Sequence, residues 1–113
     1  MLLDFSMKKP NLLRIKTINA TWCDKDTVML HACFQLLTDF IEQENPFESG
    51  TDWTHSEEKI NVKREIEFLY NWWQELLIKQ DNDEWKSMDN KVQYEEENEM
   101  LIRLIKIRSH LWV

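Results

Sequence analysis

Glycine occurs once in this chain, at position 50, and proline twice, at positions 10 and 46. Backbone that must turn sharply or approach a phosphate needs the freedom of glycine. A P-loop, a dinucleotide-binding turn and a nucleophile elbow therefore cannot be built here. Long segments without breakers are left to form helices. The 113 residues suit one domain, and 42% hydrophobic against 31% charged residues is enough to fold around a core without disulfide staples. We expect an all-α domain over residues 1–113, with three main helices in a compact bundle. Residues 1–9 are expected to be flexible, and residues 10–22 to add a short N-terminal helix or an extended segment, the helix being preferred.

Fourteen basic and 21 acidic residues give a net charge of −7. That balance argues against a protein that coats nucleic acid, so Lys8, Lys9, Arg14 and Lys16 read more simply as a solvated N-terminal face. Cys23 and Cys33 do not make a disulfide framework. No apolar run is long enough for a membrane span or a signal-peptide core, and the expected location is a reducing cytosol. Met7-Lys8-Lys9 resembles a start, which would make the first six residues dispensable.

The first helix is expected over 27–44, capped by Asp24 or Asp26 and stopped by Pro46. Met29, Leu30, Cys33, Leu36, Leu37, Phe40 and Ile41 share one arc, opposite His31, Gln35, Thr38 and Glu42. The second is expected over 56–80, with Thr54 and Glu57 in a capping box. Val62, Ile66, Leu69, Tyr70, Trp73, Leu76 and Leu77 form its main face, and Phe68 and Trp72 a strip beside it. The third is expected over 89–111, with a core face of Met100, Leu101, Leu104, Ile105, Ile107, Leu111 and Trp112. Its acidic start and basic end complement the helix dipole, and Glu99 with Arg103 makes an i, i+4 pair.

Six tryptophans are many for this length. Adjacent helical residues point about 100° apart, so one flat interface cannot bury both Trp72 and Trp73. Either the second helix is central and touched from two sides, or Phe68 and Trp72, with Trp53, form a surface for a protein partner or for a homo-oligomer. Glu97 and Arg108 interrupt the apolar face of the third helix about 16 Å apart, too far to pair with each other. A structural partner such as Lys63 or Arg64 is expected for Glu97. Arg108 is expected in an intrachain salt bridge or snorkelling near the helix end. Alternatively, Arg103, Lys106 and Arg108, with Tyr70 or Trp112 as a stacking ring, would hold an anionic nucleotide.

Metal chemistry has weaker support. Glu96 and Glu99 have a spacing used by magnesium-dependent nucleotide pyrophosphohydrolases. Glu65 and Glu67, however, project about 160° apart and do not supply a second pair. Cys23, His31 and Cys33 lack zinc-ligand spacing. No cofactor, metal ligand set or catalytic residue is assigned.

The segments His31–Leu37, Pro46-Phe47, Asp52-Trp53, Leu69-Tyr70-Asn71-Trp72-Trp73, Tyr94-Glu95-Glu96-Glu97 and Met100–Arg108, closing on Leu111-Trp112, together resemble small proteins encoded by tailed bacteriophages. The resemblance covers residues 28–112. It implies action in the bacterial host cytoplasm or in the virion, and brings no assigned activity. The double tryptophan of that family is followed by a basic, proline-containing stretch, which Leu76-Leu77-Ile78-Lys79-Gln80 replaces here. The expected function is that of a non-enzymatic phage accessory protein that binds a protein, such as a host factor or defence component, and self-associates through Phe68 and Trp72. Nucleotide sequestration and carboxylate-metal hydrolysis are the alternatives.

Overall fold

The computed structural model describes residues 12–18, 22–48, 50–82 and 89–112. The expected start at Met7, the flexible residues 1–9, the helix start at Pro10, and Trp85 lie outside them. Three helices, α1 (Lys25–Glu44), α2 (Glu57–Gln80) and α3 (Asn90–Lys106), are followed by one 3-10 turn at Arg108–His110. The described residues contain no strand, and the helices pack on one another as an all-α bundle.

The helices run up, down and up. Between α2 and α3, Glu65 meets Arg103 and Trp72 meets Glu96, so the later residue of one helix faces the earlier residue of the other. Phe34 of α1 meets Trp73 of α2 and Glu42 meets Tyr70, so α1 is also antiparallel to α2 and hence parallel to α3, whose Tyr94 donates its hydroxyl proton to Asp26. The core between them consists of Leu30, Phe34, Leu37 and Phe40 of α1, Val62, Ile66, Leu69, Trp73 and Leu76 of α2, and Met100 and Leu104 of α3. Ile107 and Trp53 close it from outside the helices.

Aromatic stacking sets the rotation of α1, and the expected buried arc is displaced by it. Phe34 stacks on Trp73 with ring centroids 4.9 Å apart and leans on Trp72 at 5.2 Å. Seating that ring brings His31 and Gln35 into the interior and turns Met29 and Leu36 out, to 61% and 54% exposure. Cys33 is half-buried, and burial pushes its thiol pKa up. The two buried polar groups are satisfied by the segment that precedes the helix. Lys16 N–H donates to Gln35 Oε1 at 3.0 Å, and Thr17 Oγ1 lies 2.6 Å from His31 Nδ1. Residues 12–18 are accordingly not helical but form an irregular strap ending in a turn. A helix there would have kept the Lys16 amide for itself; instead Leu12 and Trp22 stay 74% and 79% exposed.

Local capping differs from the sequence reading in two places. Asp24 precedes α1 and its carbonyl accepts the first helical bond, but its side chain caps nothing, and Asp26 is taken by Tyr94. At α2 the cap is Ser56, whose hydroxyl accepts from Lys59 N–H at 3.2 Å. Thr54 folds back instead on Asp52, giving it hydrogen bonds from its amide and its hydroxyl, so the Thr54–Glu57 box does not form. α1 ends at Asn45, held at φ 46°, a left-handed position that asparagine tolerates better than most residues. α3 is capped by Asp89 and stops at Lys106, earlier than its apolar periodicity suggests. The change to a 3-10 turn leaves Arg108 exposed instead of central on the buried face. Ile105 and Trp112 also leave the core, at 61% and 67% exposure.

Candidate functional site

The aromatic strip expected to bind a partner is largely taken up within the chain. Trp53 is 5% exposed, donates its indole N–H to the Pro46 carbonyl at 2.8 Å and meets Phe47 edge-on, so it is a core residue and not a surface anchor. Trp72 is half-buried against Phe34, with its indole N–H 3.3 Å from a Glu96 carboxylate oxygen. Phe68 stays 46% exposed, but the Arg103 guanidinium lies 4.2 Å above its ring. α2 is thus touched from two sides, by α1 through Phe34 and by α3 through Glu96 and Arg103.

The cations proposed for an anionic ligand do not converge. Arg103 is held by both carboxylate oxygens of Glu65, at 2.7 and 2.6 Å. This replaces the expected pair with Glu99, and it lowers the Glu65 carboxyl pKa below its usual value. Tyr70 donates its phenolic proton to Glu42, which raises the phenol pKa. Lys106, Arg108 and Trp112 are exposed. The groove beside Ile107, about 570 Å³, is lined by Glu57, Glu58 and Glu65, a setting that repels anions.

A smaller polar cavity of about 280 Å³ lies where the starts of α1 and α3 meet the end of α2. Asp26, His31, Gln80, Tyr94 and Glu97 are among its lining residues. The Tyr94–Asp26 bond depresses the aspartate pKa and raises that of the phenol. Burial pushes the His31 imidazole down, toward the neutral form. Neither cation expected beside Glu97 reaches it. Lys63 lies over the Phe47 ring at 5.2 Å, and Arg64 is exposed. Burial, followed by the charges of Asp26 and Glu96, raises the Glu97 pKa from its ordinary 4.5 to about 6. A carboxyl near that value beside a neutral imidazole is a pairing that proton transfer can use. The lining offers neither a serine nor a cysteine to act on, and Thr17 occupies His31 Nδ1. Among the described residues, no three His, Cys, Asp or Glu side chains gather closely enough to hold a metal ion.

Glu97 binds a proton more readily in the folded chain than in the unfolded one, so its contribution to stability falls as pH rises from 4.5 through 6. A fully buried carboxyl displaced this far would cost about 2 kcal/mol above that range, and solvent screening of a half-buried one leaves about 1 kcal/mol. Glu97→Gln is therefore expected to melt about 4–6 °C higher than wild type at pH 7.5 and at the same temperature at pH 4.5. Equal melting temperatures at both pH values would contradict the unpaired, half-buried carboxylate.

What the helices leave open is an apolar face on the side of α1 and α3 away from α2. Met29 and Leu36 on α1, and Ile102 and Ile105 on α3, are 61%, 54%, 53% and 61% exposed, with half-buried Cys33 and Leu101 between the helices. The first helix gives a signal for this. With Phe34 added to the expected arc, it carries more apolar side chains than one buried face can hold. Among the described residues, no helix is long and apolar enough to cross a membrane. The chain matches no known family, no curated protein and no solved structure.

Proposed function

We propose that this is a non-enzymatic phage accessory protein that acts in the host cytoplasm by binding protein, and that its contact surface is the α1/α3 face. One observation supports this above the others: four large aliphatic side chains stand more than half exposed on two adjacent, parallel helices. Scattered exposed apolar residues are ordinary, but a contiguous set on neighbouring helices marks an interaction surface. The phage origin rests on the resemblance carried by Leu69–Trp73, Tyr94–Glu97 and Met100–Arg108. The nucleotide reading lacks convergent cations, since Arg103 is committed to Glu65.

The test is affinity capture of tagged protein from phage-infected cells, read by quantitative mass spectrometry. Wild type and Phe68→Ala are expected to retain the same partner within about twofold, and Leu36→Glu to lose it by more than about tenfold, a difference of more than about 1.4 kcal/mol. Loss with Phe68→Ala and retention with Leu36→Glu would return the contact to the α2 strip. Capture of nothing beyond the tag control would overturn binding to a host or phage protein.

A further inference from the structure

The charge of Glu97 gives the fold nothing. The side chain is half-buried at the polar cavity where the starts of α1 and α3 meet the end of α2. Among the described residues no cation and no hydrogen-bond donor reaches it, and the nearest charges, on Asp26 and Glu96, are of its own sign. Glutamine would fill the same volume without the penalty. A charged group kept at a cost to stability marks a site that uses the charge.

Two further features belong to the same cavity. Its volume of about 280 Å³ lies just below the range of sites for drug-sized molecules, which suits a smaller ligand. His31, which lines it, is 3% exposed; Thr17 takes its Nδ1, and its Nε2 has no partner among the described residues. The described lining contains no lysine or arginine, and burial holds His31 toward its neutral form. The starts of α1 and α3 each turn roughly half a positive charge toward this end. Asp26 in the first turn of α1 and Asp89 at the cap of α3 already stand against it. The full charges of Asp26 and Glu97 therefore set the sign, and the cavity attracts cations.

A divalent metal needs more ligands than the described residues bring together. A primary ammonium carries three N–H donors of its own and asks only for acceptors. The lining has them in the Glu97 carboxylate and the side-chain carbonyls of Gln80 and Asn90. His31 Nε2 joins them when the ring proton sits on Nδ1, toward Thr17. Leu30 gives the adjoining carbons an apolar wall.

We infer that this cavity binds a primary alkylammonium group, with Glu97 as its counter-charge and Asp26, held at the rim by Tyr94, adding to the field. None of Met29, Leu36, Ile102 and Ile105 lines the cavity, so the site is separate from the aliphatic face and stands without it. The group arrives on a free amine or on a lysine side chain, and its chemistry at Glu97 is the same for both.

Titration of the isotope-labelled full chain at pH 7.5, read by amide chemical shifts, tests this. The free-amine probe is n-butylammonium chloride and the side-chain probe is acetyl-lysine methylamide. Tetramethylammonium chloride at equal ionic strength supplies a cation with no N–H to donate. Wild type is expected to bind butylammonium saturably, with a Kd of about 1 mM and the largest shifts at Thr27, Gln80 and Glu97. Tetramethylammonium is expected to bind about tenfold more weakly or less. Glu97→Gln, the more stable variant and hence folded, is expected to lose butylammonium by about tenfold or more, and Glu99→Gln, which removes an exposed charge outside the cavity, to change it less than about twofold. Lysine-probe binding within about threefold of butylammonium would support a side chain as the source, and its failure beside bound butylammonium a free amine. No saturable shift up to about 20 mM butylammonium, an equal response to tetramethylammonium, or unchanged binding by Glu97→Gln would each overturn the inference and leave a cavity that holds water.

Discussion

Trp73→Ala is expected to cost about 3–5 kcal/mol and to lower the melting temperature by roughly 15–25 °C. Trp73 is 1% exposed at the centre of the core, stacked on Phe34 and met edge-on by His31 at 4.8 Å. Truncation removes the ring that sets the rotation of α1, and the helices around it cannot collapse fully into the space. Domains of this size have only about 5–15 kcal/mol in total, so the variant stands near the limit of folding. Trp73→Phe separates packing from polarity. The Trp73 indole N–H has no hydrogen-bond acceptor among the described residues, and phenylalanine removes that buried donor while keeping a ring on Phe34. Its cost is expected to be about 1–2 kcal/mol, below that of alanine. Thermal unfolding followed by circular dichroism checks both, and an alanine variant within about 5 °C of wild type would show that Trp73 does not organise the core.

Trp53→Ala is expected to lower the melting temperature by roughly 15 °C or more, from a loss of about 3–4 kcal/mol. Trp53 lies in the connection between α1 and α2, where its indole N–H meets the Pro46 carbonyl and its ring packs against Phe47 with Lys59 above. Removing it takes away both the packing and the donor that fixes the turn after α1. A surface anchor would behave in the opposite way, with unchanged melting and weakened binding. Urea unfolding distinguishes them: a lower midpoint with an unchanged slope reports lost stability in the folded state, and an unchanged midpoint would return Trp53 to the surface.

The three helices were legible because breakers are scarce and apolar spacing is regular, whereas the wide apolar arc of α2 left open whether Phe68 and Trp72 are covered within the chain or by a partner. The rotation of α1 was not legible, because period alone does not say which of several apolar arcs will meet an aromatic partner. Phe34 decided it by stacking on Trp73, and it brought in His31 and Gln35, whose polarity had assigned them to solvent. The cross-helix pair of Glu65 with Arg103 was hidden for a related reason: i, i+4 spacing shows partners within a helix, while partners between helices depend on a register that sequence spacing does not carry. The open α1/α3 face became visible only once the α1 rotation was known.

Three helices are an odd number, and an up-down-up bundle cannot cancel its backbone dipoles internally. One end holds the starts of α1 and α3 and the finish of α2, which leaves roughly half a positive charge uncompensated there and half a negative charge at the other end. Side chains oppose it at the first end only, where Asp24, Asp26 and Asp89 stand at the helix starts; at the second, Glu42, Glu44, Glu57 and Glu58 outnumber Lys106, Arg108 and His110. Compensation by side chains weakens as they are protonated or screened, whereas backbone dipoles remain. That residual polarity belongs to the number and direction of the helices, so it persists at any pH at which they stay folded.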